Sequence, residues 1–384
     1  MILTNCAACA APLGLALGKK CGRCSTRYCG PACQEQHWKA GGHDKLCKKI
    51  KKAGGAEQYN ANKKYSEAVA VAVEACADDT KGQTCYICLE AVHARTGEGL
   101  VRGCACGDRD SVASGRTGIA HVSCLAQQAK MLREEAEENK LDNEQFSSRW
   151  ARWHTCGLCE QHYHGVVCCA LGWACWKTYV GQPETDMARG YAMTELGTGL
   201  HVAKRYDDAL TVREAELAMR RRQGASAYDV LVAQGNLAST YATLGRNEEA
   251  LSMRQEVYSG RLKLNGEEHT EALEAAHNYA TSFINLRRFD ESKALYHQAI
   301  PVARRVLGES HELTLQMRIG YGLALWVGAA SLDDLREAAT TLEETERTAR
   351  RVLGGDHPVS KGIRNSLRDA RAALRARETP SGSA

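Results

Sequence analysis

The sequence predicts a mainly α-helical fold in which two small cysteine-rich modules are followed by a solenoid of helix pairs. Two observations predict it. Of 18 cysteines, seven lie in residues 6–47 and seven more in 85–159, and none follows Cys175. From about Met187 the composition turns to Ala, Leu, Arg and Glu, and related phrases recur 42 residues apart. Apolar residues spaced three and four apart within each phrase make every unit a helix pair, and such units must stack to cover their apolar faces.

With 384 residues, 25% charged and 44% hydrophobic, the chain has room for two or three domains of ordinary globular composition. No stretch reaches the roughly 18 to 20 apolar residues of a membrane span. "CAACAAPLGLALG" (6–18) has the look of a signal-peptide core but lacks a basic leader, and "GVVCCALGWACW" (165–176) is too short to span and reads as a buried helix. Cys-x-x-Cys pairs with interleaved His are the spacing of zinc ligands rather than of disulfides, which places the chain in a reducing compartment, cytoplasmic, nuclear or both. Four divalent ions on fourteen thiolates would take the formal charge from +4 to about −2, so net charge gives nucleic-acid binding no support.

In the first module the ligands run Cys6, Cys9, Cys21, Cys24, Cys29, Cys33, His43, Cys47. Eight ligands fill two closed tetrahedral sites, and closed sites are structural. About 42 residues cannot bury a self-sufficient core, so metal must stabilise the module. With its "YC" at Tyr28 and Cys29 and its tail "CQEQHWKAGGHDKLC", the segment resembles the MYND zinc finger. That resemblance implies one zinc on Cys6, Cys9, Cys29 and Cys33 and a second on Cys21, Cys24, His43 and Cys47, leaving His37 outside both. It also implies short-peptide binding, with Gln34 and Trp38 as contacts; Trp38 could equally pack the small core. The module is taken as 1–50. A helical linker (51–84) follows, opening on the basic run "KKIKKAGG", which reads as a linker or helix end, or as a nuclear-import or phosphate-contact patch.

The second module, 85–165, carries Cys85, Cys88, Cys104, Cys106, His121, Cys124, Cys156 and Cys159. "C-x-I-C", "C-x-C", "H-x-x-C-L" and a closing "C-x-x-C" before Tyr163 and Gly165 resemble the RING-CH finger of ubiquitin ligases. The resemblance implies a cross-brace, with Cys85, Cys88, His121 and Cys124 on one zinc and Cys104, Cys106, Cys156 and Cys159 on the other, four ions in all for the chain. It also implies that Ile87 contacts a ubiquitin-conjugating enzyme; the alternative for Ile87 is a partly buried loop residue. The chain departs from the family in its long segments after Cys106 and Cys124, in Gln128 where a Trp is usual, and in Glu160 where a basic residue is usual. "QQAKMLREEAEENKLDNEQ" reads as a charged surface helix.

"NLASTYATLGRNEEAL" at Asn236, "NYATSFINLRRFDES" at Asn278 and "GYGLALWVGAASLDDLREA" at Gly320 mark the repeats, with an earlier copy near His201. They resemble the long tetratricopeptide repeat of kinesin light chains, assigned with a capping helix to 166–377. The resemblance implies that Asn236 and Asn278 present side chains to an extended peptide, unless they serve only local helix hydrogen bonds. His269, His311 and His357 recur as helix-start residues, and Cys168, Cys169 and Cys175 read as core thiols. Residues 378–384 are expected to be disordered.

The functional expectation is a zinc-binding, multivalent protein-interaction adaptor with no catalytic residues of its own and peptides as partners. The second reading is a ligase that holds a conjugating enzyme by its RING-like finger and a substrate by its repeats, with no nucleophile of its own. Gln128 and Glu160 favour the adaptor. Neither a membrane nor a nucleic acid is expected as partner.

Overall fold

The computed structural model describes residues 6–11, 13, 18–106, 117–355 and 357–378. The expected tail beyond Glu378 lies outside these, as does part of the loop after Cys106. The chain forms two compact units, Met1–Ala225 and Ser226–Ala384. Among the described residues, no helix is long and apolar enough to cross a membrane.

In the first unit, β1 (Lys19–Lys20) pairs antiparallel with β2 (Arg27–Tyr28), followed by α1 (Pro31–Lys39) and α2 (His43–Lys52). The basic run from Lys48 completes α2, and Gly54 and Gly55, both at positive φ, turn the chain into α3 (Ala56–Ala75). After α4 (Ala77–Thr80), β3 (Val101–Arg102) pairs antiparallel with β4 (Ile119–Ala120). The charged surface helix expected after Cys124 is two helices. α5 (Val122–Glu138) starts inside the ligand pattern, and the chain breaks at Lys140 (φ 50°) before α6 (Asn143–Trp150), where Asp142 accepts from the Gln145 N–H at 2.8 Å.

α7 (Gly165–Tyr179) is buried nearly all round and packs between α3 and α8 (Met187–Val202), with α9 (Tyr206–Arg222) against α8. Trp173 and Trp176 are each 1% exposed. Glycines let α7 and α8 approach. A Cβ on Gly199 would lie 2.7 Å from the Cys168 carbonyl and one on Gly172 2.9 Å from that of Glu195. Cys168, Cys169 and Cys175 are buried, and burial pushes their thiols up.

The second unit is a run of packed helices: α10 (Ala227–Thr243), α11 (Asn247–Asn265), α12 (Thr270–Asn285), α13 (Phe289–Leu307), α14 (Glu312–Val327), α15 (Leu332–Leu353) and α16 (Pro358–Glu378). Each packs on the next, while α14 also packs on α12 and α16, the stacking of a helix-pair solenoid. The periodic histidines are helix starts. Nδ1 of His269, His311 and His357 accepts from the backbone N–H two residues on, at 3.3, 3.2 and 3.3 Å. Gly266, Gly308 and Gly354, at φ 81°, 92° and 88°, end the preceding helices in a conformation that L residues avoid.

Candidate metal centres and binding surfaces

All sixteen candidate ligands fall into four groups: Cys6, Cys9, Cys29, Cys33; Cys21, Cys24, His43, Cys47; Cys85, Cys88, His121, Cys124; and Cys104, Cys106, Cys156, Cys159. Within each group the donor atoms lie within 4.8 Å of one another. A zinc–sulfur bond of about 2.3 Å puts the sulfurs of a tetrahedral site about 3.8 Å apart. Three Sγ–Sγ separations match this, 3.7 Å for Cys9 and Cys29, 3.9 Å for Cys21 and Cys47, and 3.7 Å for Cys106 and Cys156, while Cys29 and Cys33 stand closer, at 3.2 Å. All eighteen cysteines are free thiols. The grouping ties segments far apart in sequence, the Cys104 set joining the loop after β3 to the turn at 156–159.

A second observation supports metal at these positions. The four Cys-x-x-Cys pairs share one turn. Ala10, Ser25, Leu89 and Glu160, each directly after the second cysteine, have φ of 59°, 60°, 67° and 59°. Each donates its N–H to the carbonyl of the first cysteine, at 3.0, 2.9, 2.9 and 3.0 Å. The first cysteine in turn donates to the carbonyl five residues on, at 2.8, 2.8, 3.0 and 2.9 Å. A left-handed conformation costs a non-glycine residue about 1 to 2 kcal/mol, and four such turns at four ligand pairs point to a shared constraint. The turn aims backbone N–H groups at sulfur: Ile87 N–H lies 3.4 Å from Cys85 Sγ and Leu158 N–H 3.4 Å from Cys156 Sγ.

These donors divide the thiols of each group. For Cys6, burial opposes ionisation, but N–H groups from Cys9, Cys29 and Ala8 outweigh it and bring its pKa to about 6. Cys156 is brought to about 5, first by the Cys104 thiol and then, against burial, by the N–H groups of Leu158 and Cys159. Cys21 and Cys85 are lowered in the same way against burial. Their neighbours go up: Cys33 to about 12 through hydrogen bonding to Cys29 and Cys9, and Cys47 to about 11 through burial and the thiols of Cys24 and Cys21. Each group thus holds one lowered thiol beside at least one raised one, and a divalent cation would supply the missing positive charge. Burial lowers the pKa of His43 and His121, keeping the imidazoles in the neutral, ligating form. His43 Nε2 lies 3.3 Å from Cys24 Sγ, and His121 Nδ1 3.4 Å from Cys88 Sγ. His37 stands outside the groups, its Nδ1 2.9 Å from the Tyr28 hydroxyl.

The predicted partner-contact residues sit on separate surfaces. Gln34 and Trp38 lie one turn apart on α1, half-buried and 41% exposed, with the Trp38 ring 5.6 Å from that of His43. Ile87 is partly buried against the core and lines a cleft of about 770 Å³ with Gln128 and the exposed Met131. Gln128, standing where a Trp was expected, accepts from the Tyr86 hydroxyl at 3.4 Å. Asn236 is half-buried on α10, whereas Asn278 is exposed on α12 and borders a space of about 340 Å³ with Glu274, His277 and Gln316. At the next repeat, a Cβ on Gly320 would lie 2.3 Å from the Tyr296 hydroxyl, so that position has no room for an Asn. Sequence reasoning missed Tyr65, Met131 and Lys177, which line the Ile87 cleft from three different helices.

Comparison with known proteins matches these surfaces in part. Residues 6–47 match the MYND finger, and residues 230–271 and 272–312 each match the tetratricopeptide repeat. No curated protein matches the sequence. Among solved structures, the chain is similar to the kinesin light chain TPR-like repeats of Podosopora anserina, at 17% identity and a TM-score of 0.42 over 60% of this chain and 97% of that one. It is also similar to BtubC (BKLC) of P. vanneervenii, at 12% identity and a TM-score of 0.37 over 68% and 94%. Residues 230–312 are thus tetratricopeptide-type helix pairs by their family match, and the N-terminal half carries cysteine-rich groups with the geometry of zinc sites.

Proposed function

We propose that the protein is an adaptor that holds two peptide ligands at once, one on the MYND-type finger through Gln34 and Trp38 and one on the repeats beside Asn236 and Asn278, with four zinc ions folding its N-terminal modules. The observation that supports this most is the pairing of two peptide-binding module types in one chain, matched at residues 6–47 and 230–312. The four ligand groups give zinc a scaffolding part, since every group presents four protein donors and leaves no position for a substrate. Linking two weak sites raises avidity without new contacts, provided the two can be engaged together.

The test is peptide selection against the whole zinc-loaded chain. Two classes of peptide are expected, one lost with Gln34→Ala/Trp38→Ala and the other with Asn236→Ala/Asn278→Ala, and a tandem peptide carrying both should bind more tightly than either. A single class, lost with neither pair, contradicts the reading.

A second reading, a RING-type ligase in which residues 85–165 hold a ubiquitin-conjugating enzyme, is favoured by the interleaved grouping of the ligands and by Ile87 lining a cleft beside Cys124. It predicts zinc-dependent autoubiquitination that Cys85→Ser and Ile87→Ala both abolish.

A further inference from the structure

Three clefts adjoin α3, the third of them the Ile87 cleft described above. The first, about 440 Å³, is lined by Lys49, Lys52, Lys63 and Tyr59 without a carboxylate. It shares Asn62 and Ser66 with the second, about 730 Å³, whose wall includes Val69 and Val73. The second shares Tyr65, Thr96 and Lys177 with the third, the 770 Å³ cleft, where Arg95 and Lys130 stand near Ala126, Met131 and Leu132. The shared residues join them into a groove: the first two follow α3 from Tyr59 to Glu74, and the third opens off it at Tyr65.

The groove has more cations than anions. Among the described residues, Lys49, Lys52, Arg95 and Lys177 have no carboxylate within ion-pair distance, and Lys63 and Lys130 have only i,i+4 partners at 3.9 and 3.6 Å. Of the lining acids, Glu98 is buried and engaged by the Ser123 N–H at 3.1 Å and the Tyr65 hydroxyl at 3.4 Å. Three acids, Glu74, Glu98 and Glu135, thus line the clefts against six cations. Lys177 is half-buried, its ammonium 3.9 Å from the centre of the Tyr65 ring, a site where an arriving anion meets a cation already partly stripped of water.

We infer that this groove docks an acidic peptide segment carrying bulky apolar side chains, its carboxylates on the lysines of α2 and on Lys177 and its apolar residues on the exposed Met131 and the half-buried Val73. The apolar middle favours a peptide over a nucleic acid, whose phosphates would require a basic track along the whole length. The site is separate from Trp38 and from Asn278, and its occupancy does not depend on the adaptor reading.

The probe is a fluorescein-labelled peptide of about 16 residues, roughly 24 Å as a helix, built from Glu, Asp, Leu and Phe. Its anisotropy is followed with the whole zinc-loaded chain. Binding is expected to weaken about tenfold with Lys49→Glu/Lys52→Glu, to weaken with Lys177→Met, and to fall with added salt. Trp38→Ala and Asn278→Ala should leave it unchanged. Lys49→Gln/Lys52→Gln, at exposed positions, gives a milder loss, and its zinc content and helicity confirm an intact fold. No binding by the probe, equal binding by the charge-reversed variant, or equal binding of the same peptide with Lys in place of its acids would overturn the inference. So would displacement by oligouridylate that is sensitive to the same substitutions.

Discussion

The cysteine-rich modules and the repeat helices are held together by different means. In residues 6–50 the buried apolar set is small, a few residues such as Leu13, Tyr28 and Ile50 around the thiols, so coordination has to supply what the core does not. In the second unit apolar clusters succeed one another along the stack, Leu273 and Tyr296 in one and Leu342, Ile363 and Leu367 in the next, with no cysteine in them. One region depends on an ion that can be removed; the other depends on apolar area that cannot be removed without substitution.

The modules also differ among themselves. Cys9 and Cys29 are exposed and Cys33 is half-buried, whereas the Cys21, Cys24, His43 and Cys47 group is wholly buried. Metal at the Cys6 group is therefore the most open to chelators and to protons.

The largest expected effect follows from Cys85→Ser. Removing one ligand of a structural site forfeits much of a contribution of about 10 to 16 kcal/mol at neutral pH, so residues 85–165 should lose zinc and protease resistance while the repeats keep their helicity. Limited proteolysis with mass mapping checks it. Acid sharpens the same contrast. Protons compete with a bound metal for the thiolates, so coordination and the stability it supplies are lost as pH falls. Zinc release, followed with a chromogenic chelator, should therefore rise as pH falls, beginning at the exposed Cys6 group, with no matching transition in the repeats.

Smaller effects probe the repeats. Leu342→Ala, at a fully buried side chain on α15, should cost about 2 to 5 kcal/mol in denaturant unfolding of the second unit and leave zinc content unchanged. Gly320→Ala drives a Cβ toward the Tyr296 hydroxyl and should cost about 1 to 3 kcal/mol. His311→Ala removes the cap on the Leu313 N–H, worth about 1 kcal/mol, and should shift the midpoint least.

Much of this was legible in the sequence. Ligand spacing carried the sixteen ligands, the resemblances implied their division into four groups, and the 42-residue period carried the helix pairs with His269 and His311 at their starts. What escaped reading depends on backbone geometry or on distant neighbours. Nothing in the identities of Ala10, Ser25, Leu89 and Glu160 marks them as left-handed; their place after a ligand pair does. Glu160, counted as a departure at a basic position, is also one of these strained turn residues. The break at Lys140 was hidden because the charged run from Gln127 to Gln145 has no proline or glycine to interrupt it. Tyr65 and Lys177 are 112 positions apart, and only the packing of α3 on α7 brings ring and ammonium together.

The most direct test of the different origins of stability is hydrogen exchange read by mass spectrometry on the whole chain before and after zinc removal with a strong chelator. Amides in residues 6–165 are expected to lose protection on chelation, those around the Cys6 group first, while α10 to α16 keep theirs. Loss of protection in both regions together, or in neither, would contradict the account.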